Sequence, residues 1–168
     1  MELLLNQMGQ SKMQIKLAFG SKFDAIQQYK EYTPEEAPEV LQKLAAVIKP
    51  SDGFLIVSGE YNHGIPPALK NLLDHFLEEW GFRPSAIACY SAGQFGGVRA
   101  AMQLRMTLCE LGMCSIPSLF PIAKVQDTFH EDGTPIDQRI DKRVARFLDE
   151  FEWYARALKT EKAKGVPY

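Results

Sequence analysis

Apolar and polar positions follow different periods along this chain, and each period predicts a type of element. A period of two over residues 15–19 predicts a strand, and unbroken apolar runs at residues 54–57 and 86–90 predict strands buried on both faces. Apolar residues at helical spacing predict helices over residues 38–48, 67–80, 98–111 and 137–159. Strands and helices therefore alternate, which is typical of an α/β sandwich built on a mostly parallel sheet.

The segment after the third predicted helix has a weaker pattern. Residues 113–116 and 119–125 flank Pro117 and predict two short strands, because proline donates no hydrogen bond to a strand ladder. A polar loop follows, and residues 160–168 are expected to form a loose tail. No repeat or linker divides the chain, so we interpret residues 1–168 as a single domain.

Composition and charge exclude several classes of protein. Of the 168 residues, 46% are hydrophobic and 24% are charged, which fits a folded globular domain. The formal net charge of -2 supplies no field to hold a polyanion, so no nucleic acid partner is expected. No run approaches the roughly 20 apolar residues that span a bilayer, and the first residues are too acidic for a signal peptide. We expect a cytoplasmic protein with no membrane partner.

The chain contains three cysteines, Cys89, Cys109 and Cys114, with no spacing typical of a disulfide framework. We interpret them as small buried apolar residues in a reducing compartment. His63, His75 and His130 are far apart and show no ligand spacing, so no metal site is expected.

Two loops follow the predicted central strands, at the place where parallel sheets bind ligands. The first contains Glu60-Tyr61-Asn62-His63-Gly64, and the second is Ser91-Ala92-Gly93-Gln94-Phe95-Gly96-Gly97. Glycines let a backbone approach a planar ligand closely, and Tyr61 offers an aromatic wall. Taken alone, the first loop is also consistent with an ordinary polar turn, and the second with a tight turn between strand and helix.

The residues from Gly53 to Asp74 closely resemble the flavin-site segment of the NADPH-dependent FMN reductase family, and the second loop resembles that family's second glycine-rich loop. The resemblance implies a flavodoxin-like three-layer sandwich with FMN between the two loops. It also implies reduction of the flavin by NADPH or NADH, with electrons passed to a quinone, azo compound, metal ion or free flavin. The hydride chemistry belongs to the cofactor, so no catalytic side chain is expected.

By this resemblance, the cofactor-binding residues lie on both sides of the flavin ring. The ring is expected to be lined by Glu60, Tyr61 and Asn62, with His63 and Gly64 beneath it, and to be bordered on its other side by Ser91, Gly93, Gln94, Gly96 and Gly97.

The N-terminal part departs from the family pattern. Family members begin with a strand, a glycine-serine phosphate loop and a helix, whereas here only Phe19-Gly20-Ser21-Lys22 is similar. We therefore interpret residues 1–31 as a divergent, shortened N-terminus, in which residues 14–19 are what remains of the second strand. Weak FMN binding is expected unless Gly20-Ser21-Lys22 replaces the phosphate loop.

Two other functions are consistent with parts of the sequence. One is a non-catalytic flavodoxin-like domain that self-associates and binds FMN weakly or not at all. The other, more remote, is a serine hydrolase, because Cys89-Tyr90-Ser91-Ala92-Gly93 resembles a nucleophile elbow whose first glycine is replaced by Cys89. The only histidine after this segment is His130.

The predicted helix at residues 67–80 carries more apolar residues than one sheet face requires. Phe76, Trp80 and Phe82 extend its apolar set. We therefore expect a homodimer or homotetramer that uses this helix.

Overall fold

The computed structural model describes residues 15–19, 32–33 and 35–168, with the backbone alone described for residues 15–19. Four strands in these ranges form one parallel sheet, and they pair in the order of the chain: β1 (Ile15–Phe19), β2 (Gly53–Gly59), β3 (Pro84–Tyr90) and β4 (Cys114–Ile122). The helices are α1 (Glu39–Ile48), α2 (Pro67–Asp74), α3 (Val98–Glu110) and α4 (Arg139–Lys162). The predicted α/β architecture with a parallel sheet is confirmed.

Both faces of the sheet are covered because successive residues of its central strands point to opposite faces. On one face Phe54 and Ile56 of β2 pack in a cluster with buried residues of α1, α2 and α3. On the other face Leu55 packs with Val144 and Phe151 of α4. The apolar run at residues 54–57 is unbroken because neither face of β2 meets solvent.

β2 and β3 are neighbours in the middle of the sheet. Ile56 lies opposite Ile87, and the pairing continues to the last residues of both strands, where Gly59 lies opposite Tyr90. The prediction that residues 54–57 and 87–90 form adjacent central strands is confirmed.

β1 pairs with β2 along its whole length, from Ile15 opposite Gly53 to Phe19 opposite Val57. In a flavodoxin-like sheet with the order 2-1-3-4-5, the third strand lies between the first and the fourth, and β2 lies in the same way between β1 and β3. The segment interpreted as the remainder of a second strand thus occupies the place of a first strand. There it pairs the N–H and C=O groups along one side of β2, which a buried strand needs. Gly20, Ser21 and Lys22 lie outside the described residues.

β4 is one strand, so the prediction of two strands separated by Pro117 is wrong. Ser85 lies opposite Ser115, but Ile87 lies opposite Leu119, so residues 116–118 are accommodated opposite one residue of β3. Pro117 sits in this irregularity, where its missing N–H costs no ladder bond. The strand therefore continues through the proline.

α2 ends at Asp74, six residues before the predicted end at Trp80. Residues 75–82 form turns, and Phe82 has a φ of 57°. Trp80 nevertheless reaches the core from these turns, with 1% of its surface exposed and its indole N–H donating to the carbonyl of Leu73 at 3.0 Å. The predicted end was wrong because Trp80 falls at helical spacing from the apolar residues of α2 and packs in the same cluster, although it lies in a turn. The bounds of the other three helices agree with the predictions within three residues.

The cysteines differ in exposure. Cys89 is buried, as predicted, but Cys109 and Cys114 are exposed, so the prediction is wrong for these two. Cys109 lies near the end of α3 and Cys114 begins β4, which has a partner strand on one side only within the described sheet. Within the described ranges, no helix combines the length and apolar character needed to cross a membrane.

Candidate functional site

The two predicted ligand loops leave the sheet side by side. The first follows Gly59 and the second follows Tyr90, and these two residues are paired across β2 and β3. A Cβ atom at Gly59 would lie 3.4 Å from the Tyr90 ring, so the absence of a side chain at Gly59 lets that ring pack closely against the end of β2. The loops thus share one edge of the sheet, at the carboxyl ends of its central strands, where α/β proteins bind ligands.

The first loop closes into a tight turn at Tyr61–Gly64. The N–H of Tyr61 donates to the carbonyl of Gly64 at 3.1 Å, and the N–H of Gly64 donates to the carbonyl of Tyr61 at 2.9 Å. Asn62 and His63 between them have positive φ angles of 49° and 65°, as in a type I′ turn. Asparagine and histidine are both enriched among the non-glycine residues that adopt this conformation. The turn leaves the Tyr61 side chain 62% exposed.

Glu60 connects the first loop to the helix that follows the second loop. Its Oε2 atom accepts hydrogen bonds from the backbone N–H groups of Arg99 and Ala100, at 3.0 and 3.1 Å. Its Oε1 atom lies 3.8 Å from the Arg99 guanidinium, and only 9% of the Glu60 side chain is exposed. The first N–H groups of a helix have no intrahelical partner and carry its positive dipole end, so a carboxylate is favoured there.

Gln103, which the sequence did not single out, makes a second connection between the same elements. Its Nε2 donates to the carbonyl of His63 at 3.1 Å, and its Oε1 accepts from the N–H of Ile65 at 3.3 Å. Gln103 lies one helical turn after Arg99, so both residues share the face of α3 that meets the first loop. That spacing is the only signal in the sequence, and it does not identify the partner.

The second loop is fixed to the end of β4. The N–H of Ser91 donates to the carbonyl of Ile122 at 3.2 Å, and the N–H groups of Lys124 and Val125 donate to the carbonyls of Gly93 and Ser91. The Ser91 hydroxyl donates to the carbonyl of Gly93 at 3.2 Å. This backbone contact leaves Ser91 in a turn rather than directed at a histidine, which is not what a serine nucleophile requires.

The glycines of the second loop serve two different purposes. Gly97 has a φ of 80°, and a Cβ atom there would lie 2.8 Å from the carbonyl oxygen of Tyr90. Gly96 has a φ of 62° and would bring its Cβ within 3.1 Å of the backbone of residues 122 and 123. At Gly93, by contrast, the nearest atom to a Cβ is the Ser91 hydroxyl at 4.0 Å. Packing within the protein therefore explains Gly96 and Gly97, whereas Gly93 leaves open space.

Behind the loops, Cys89 is buried beneath Gly97. Burial, with the nearby negative charge of Glu60, raises the pKa of the Cys89 thiol to about 11. The thiol is therefore neutral at physiological pH and is not a nucleophile. At the surface of the second loop, the Arg99 guanidinium lies 4.2 Å from the centre of the exposed Phe95 ring.

This geometry fits the ring of a flavin better than it fits the phosphate. The exposed Tyr61 ring and the open space at Gly93 suit a planar ligand between the loops. The N–H groups at the start of α3 are not available to a phosphate, because Glu60 already accepts from two of them. Among the described residues, no group of three histidine, cysteine or acidic side chains is placed to hold a metal ion.

Known proteins similar to this chain include reductases from several organisms. An NAD(P)H-dependent FMN reductase of Schizosaccharomyces pombe is 38% identical over 88 residues, which are 52% of this chain and 41% of that protein. An NADPH azoreductase of a Bacillus species is 27% identical over 150 residues, 84% of each chain. The chain thus spans less than half of the first relative and most of the second.

A solved structure has a similar fold. FerB of Paracoccus denitrificans, a flavoenzyme NAD(P)H:(acceptor) oxidoreductase, matches 93% of this chain and 87% of its own with a TM-score of 0.71 and 23% identity. The family model of the NADPH-dependent FMN reductases matches residues 1–127, which is most of the 168-residue chain. The flavodoxin-like fold is therefore confirmed, and the chain belongs to the NADPH-dependent FMN reductase family.

Proposed function

We propose that this chain is an NAD(P)H-dependent FMN oxidoreductase that reduces quinone or azo-type acceptors. The observation that supports the proposal most is the joining of the two loops: Glu60 of the first loop accepts from the first amides of α3, which begins directly after the second loop. Family membership adds the cofactor and the electron donor. The names of the relatives add the acceptors, since they include an NADPH azoreductase and a 2-hydroxy-1,4-benzoquinone reductase.

In this proposal the described residues surround the isoalloxazine ring from two sides. The cofactor-binding set is Tyr61, Asn62, His63 and Gly64 in the first loop and Ser91, Gly93, Gln94, Gly96 and Gly97 in the second. The role of Glu60 is to position the first loop, because its carboxylate is committed to α3. Bound FMN would supply the two-electron hydride chemistry.

The chain's own part in the reaction is binding, orientation and exclusion of water. The exposed Tyr61 ring provides an apolar wall, and the peptide groups around Gly93 provide hydrogen-bonding groups with space for close approach. Quinones and azo compounds are planar and conjugated, so both suit a flat site of this kind.

We also propose that the chain forms a homodimer or homotetramer, in which the outer face of α3 contributes to the contact beside the segment of residues 67–80. Phe76 and Trp80 are buried within the chain, so they leave no surplus for a partner. Large apolar side chains are exposed at Leu77 and on the outer face of α3, at Met102 and Met106. Sedimentation should show an oligomer that Met106→Glu dissociates, while Val47→Glu on α1, also an exposed apolar position, leaves it intact.

The three free cysteines support a reducing location such as the cytoplasm.

Reduction of acceptors by the full-length protein tests the proposed activity. With added FMN, the protein should oxidise NADPH or NADH when a benzoquinone or an azo dye is present. Tyr61→Ala should raise the FMN dissociation constant by about tenfold, since a lost aromatic contact costs up to about 1.5 kcal/mol. Tyr168→Ala, which also removes an exposed tyrosine, should have no effect. A protein that binds no flavin and oxidises no nicotinamide cofactor would favour the non-catalytic alternative.

A further inference from the structure

We propose that a basic pocket at the amino ends of β2 and β3 binds a phosphate-type oxyanion. We call it the basal pocket; it has a volume of about 290 Å³ and is lined by Lys49, Asp52, Phe82, Arg83, Lys159 and Lys162. It lies beside the first residues of the two central strands, whereas the flavin loops follow their last residues. The inference is therefore independent of the proposed flavin site.

Arg83 gives the pocket a buried positive charge whose hydrogen bonds all go to carbonyl oxygens, with Asp52 and Glu79 near enough to attract it. Its side chain donates to four backbone carbonyls, those of Lys49, Ser51, Glu79 and Gly81, at 2.7 to 3.0 Å. These bonds close the end of α1 onto the start of β3, but none of them ends on a carboxylate. The residue is only 8% exposed, and burial lowers the pKa of the guanidinium. A buried charge in this situation is stabilised by an opposite charge.

Lys162 adds a second positive charge next to Arg83. It forms no ion pair with any described residue, whereas Lys159 pairs with Asp52 at 2.8 Å and Lys49 pairs with Glu79 at 3.7 Å. The pKa of Lys162 is lowered first by burial and second by the positive charge of Arg83. Asp52 attracts both cations, but it is a single carboxylate that also pairs with Lys159, so a further anion between Lys162 and Arg83 would reduce the remaining cost of holding them together.

The pocket holds more positive charge than the helix ends and carboxylates beside it can balance. Lysines at helix C-termini complement the helix dipole, and both α1 and α4 end at this pocket. Four cations stand against the carboxylates of Asp52 and Glu79 and about half a negative charge from each helix end. About one positive charge is left over, so the helix ends do not account for all of the cations. A phosphate group, with a second pKa of about 6, carries the complementary charge.

The lining also indicates room for more than the oxyanion itself. Phe82 forms one wall, and its ring centre is 5.1 Å from that of Tyr168. The volume of the pocket is at the lower limit of small-molecule sites, about 300 Å³. Phosphate could therefore enter as the free ion or as part of a small ester such as a nucleoside monophosphate. Both share the same recognition chemistry.

Titration of the full-length, FMN-supplemented protein with inorganic phosphate tests the proposal, followed through backbone amide shifts in an NMR spectrum. We expect saturable shifts at residues 49–52, 82–83 and 159–162 and none at residues 60–64. Lys162→Gln should weaken binding at least tenfold. Lys142→Gln removes the same charge from an exposed position on the same helix, outside the pocket, and should leave binding unchanged.

Parallel titrations with adenosine monophosphate and adenosine distinguish the possible sources of the phosphate. Tighter binding of the monophosphate than of inorganic phosphate would identify an ester as the ligand, and equal affinity would identify the free ion. Adenosine alone should not bind. Absence of saturable shifts, or equal weakening in the two lysine variants, would overturn the proposal. Either result can be obtained whether or not the flavin loops bind FMN, because the shifts of residues 60–64 report on that site separately.

Discussion

Glu60 shows how one side chain can connect two parts of a candidate site. Its carboxylate carries out the function of an N-cap for α3, although it is 37 residues before Gly97, the residue that occupies the N-cap position of that helix and has no side chain to do so. An ordinary N-cap stabilises only its own helix. This one also fixes the loop that carries Tyr61, so stability and ligand binding depend on the same carboxylate.

Replacing Glu60 by glutamine tests this dual role. Glu60→Gln keeps the size of the side chain and one acceptor oxygen but removes the charge that the start of α3 favours. We expect the free energy of unfolding to fall by about 1–2 kcal/mol and the FMN dissociation constant to rise. Chemical denaturation and flavin titration measure the two effects.

Glu110→Gln is the matched control, because Glu110 is the last residue of α3 and is exposed. A negative charge is unfavourable at that end of a helix, so its removal should leave stability unchanged or slightly higher. Equal losses of stability in the two variants would show that the position of Glu60 at the α3 amides is unimportant.

The Cys89 thiol predicts a pH dependence of stability. Its pKa is raised from 9.0 to about 11 in the folded protein, chiefly by burial, so above pH 9 the unfolded chain releases a proton that the folded chain retains. The thiol's contribution is therefore complete below pH 9 and is lost as the pH rises toward 11. Compared with Cys89→Ala, the unmodified protein should lose stability more steeply in this window. Parallel denaturation curves at pH 8 and above pH 10 measure the difference, and equal slopes would contradict the assigned environment of Cys89.

For single residues, the sequence predicted which residues belong to the candidate site, but it did not predict which residues they contact. Glu60, Tyr61 and Gly93 were all predicted to belong to one site, because a recognisable motif places them there. The contact of Glu60 with α3 was not predictable, since it joins residues 39 and 40 positions apart and depends on the packing of the helix against the loop. Gln103 was missed for the same reason.

In the loop from Ser91 to Gly97, the path of the backbone decides at which positions a side chain can be accommodated. It must reverse the chain between β3 and α3 while packing against residues 122 and 123 at the end of β4. The backbone of Tyr90 leaves no room for a side chain at Gly97. The same loop has room at Gly93, on the side that the proposal assigns to the flavin.

Two alanine variants in this loop separate folding from binding. Gly97→Ala places a Cβ at a φ of 80° and 2.8 Å from the Tyr90 carbonyl oxygen. We therefore expect the free energy of unfolding to fall by about 1–3 kcal/mol. Gly93→Ala meets no atom closer than 4.0 Å and should change stability by less than about 0.5 kcal/mol. If the flavin approaches the backbone here, Gly93→Ala should still weaken FMN binding about tenfold. Unchanged FMN affinity would show that the ring does not contact this residue.

Among the elements, the buried ones were the easiest to predict. The central strands β2 and β3 were found because burial on both faces gives a continuous apolar run, and a run this short favours a strand over a buried helix. The end of α2 and the continuity of β4 were not found. Both depend on tertiary contacts: Trp80 returns to the core from a turn, and the irregular pairing with β3 accommodates Pro117.

At the scale of the whole molecule, the two edges of the sheet have different electrostatic properties. The carboxyl edge holds loops with open space, and the amide groups that would favour a phosphate there are taken by Glu60. The opposite edge holds the basal pocket, with its excess of positive charge. The small net charge of -2, taken over the whole chain, conceals this separation.

Unless Gly20-Ser21-Lys22 holds the phosphate, the occupation of the α3 amides by Glu60 predicts weak discrimination between FMN and riboflavin, which lacks the phosphate. Charge-assisted hydrogen bonds contribute about 1.5–3 kcal/mol each, so two such bonds to the phosphate would favour FMN by at least about a hundredfold. Without them we expect the two dissociation constants to differ by less than about tenfold and FMN binding to be weak. Calorimetric titration of both flavins measures the ratio.

A ratio above a hundredfold, with tight FMN binding, would contradict this expectation and would require a phosphate site formed by other residues. Gly20-Ser21-Lys22 is the candidate, because it is the only segment of the sequence similar to the family's phosphate loop. Lys22→Gln would then reduce the affinity for FMN but not for riboflavin, since only FMN carries the charge that the lysine binds. Lys12→Gln, which removes the same charge elsewhere in the N-terminal segment, should leave both affinities unchanged. Loss of affinity for both flavins in Lys22→Gln would instead indicate that this residue supports the fold around the ring.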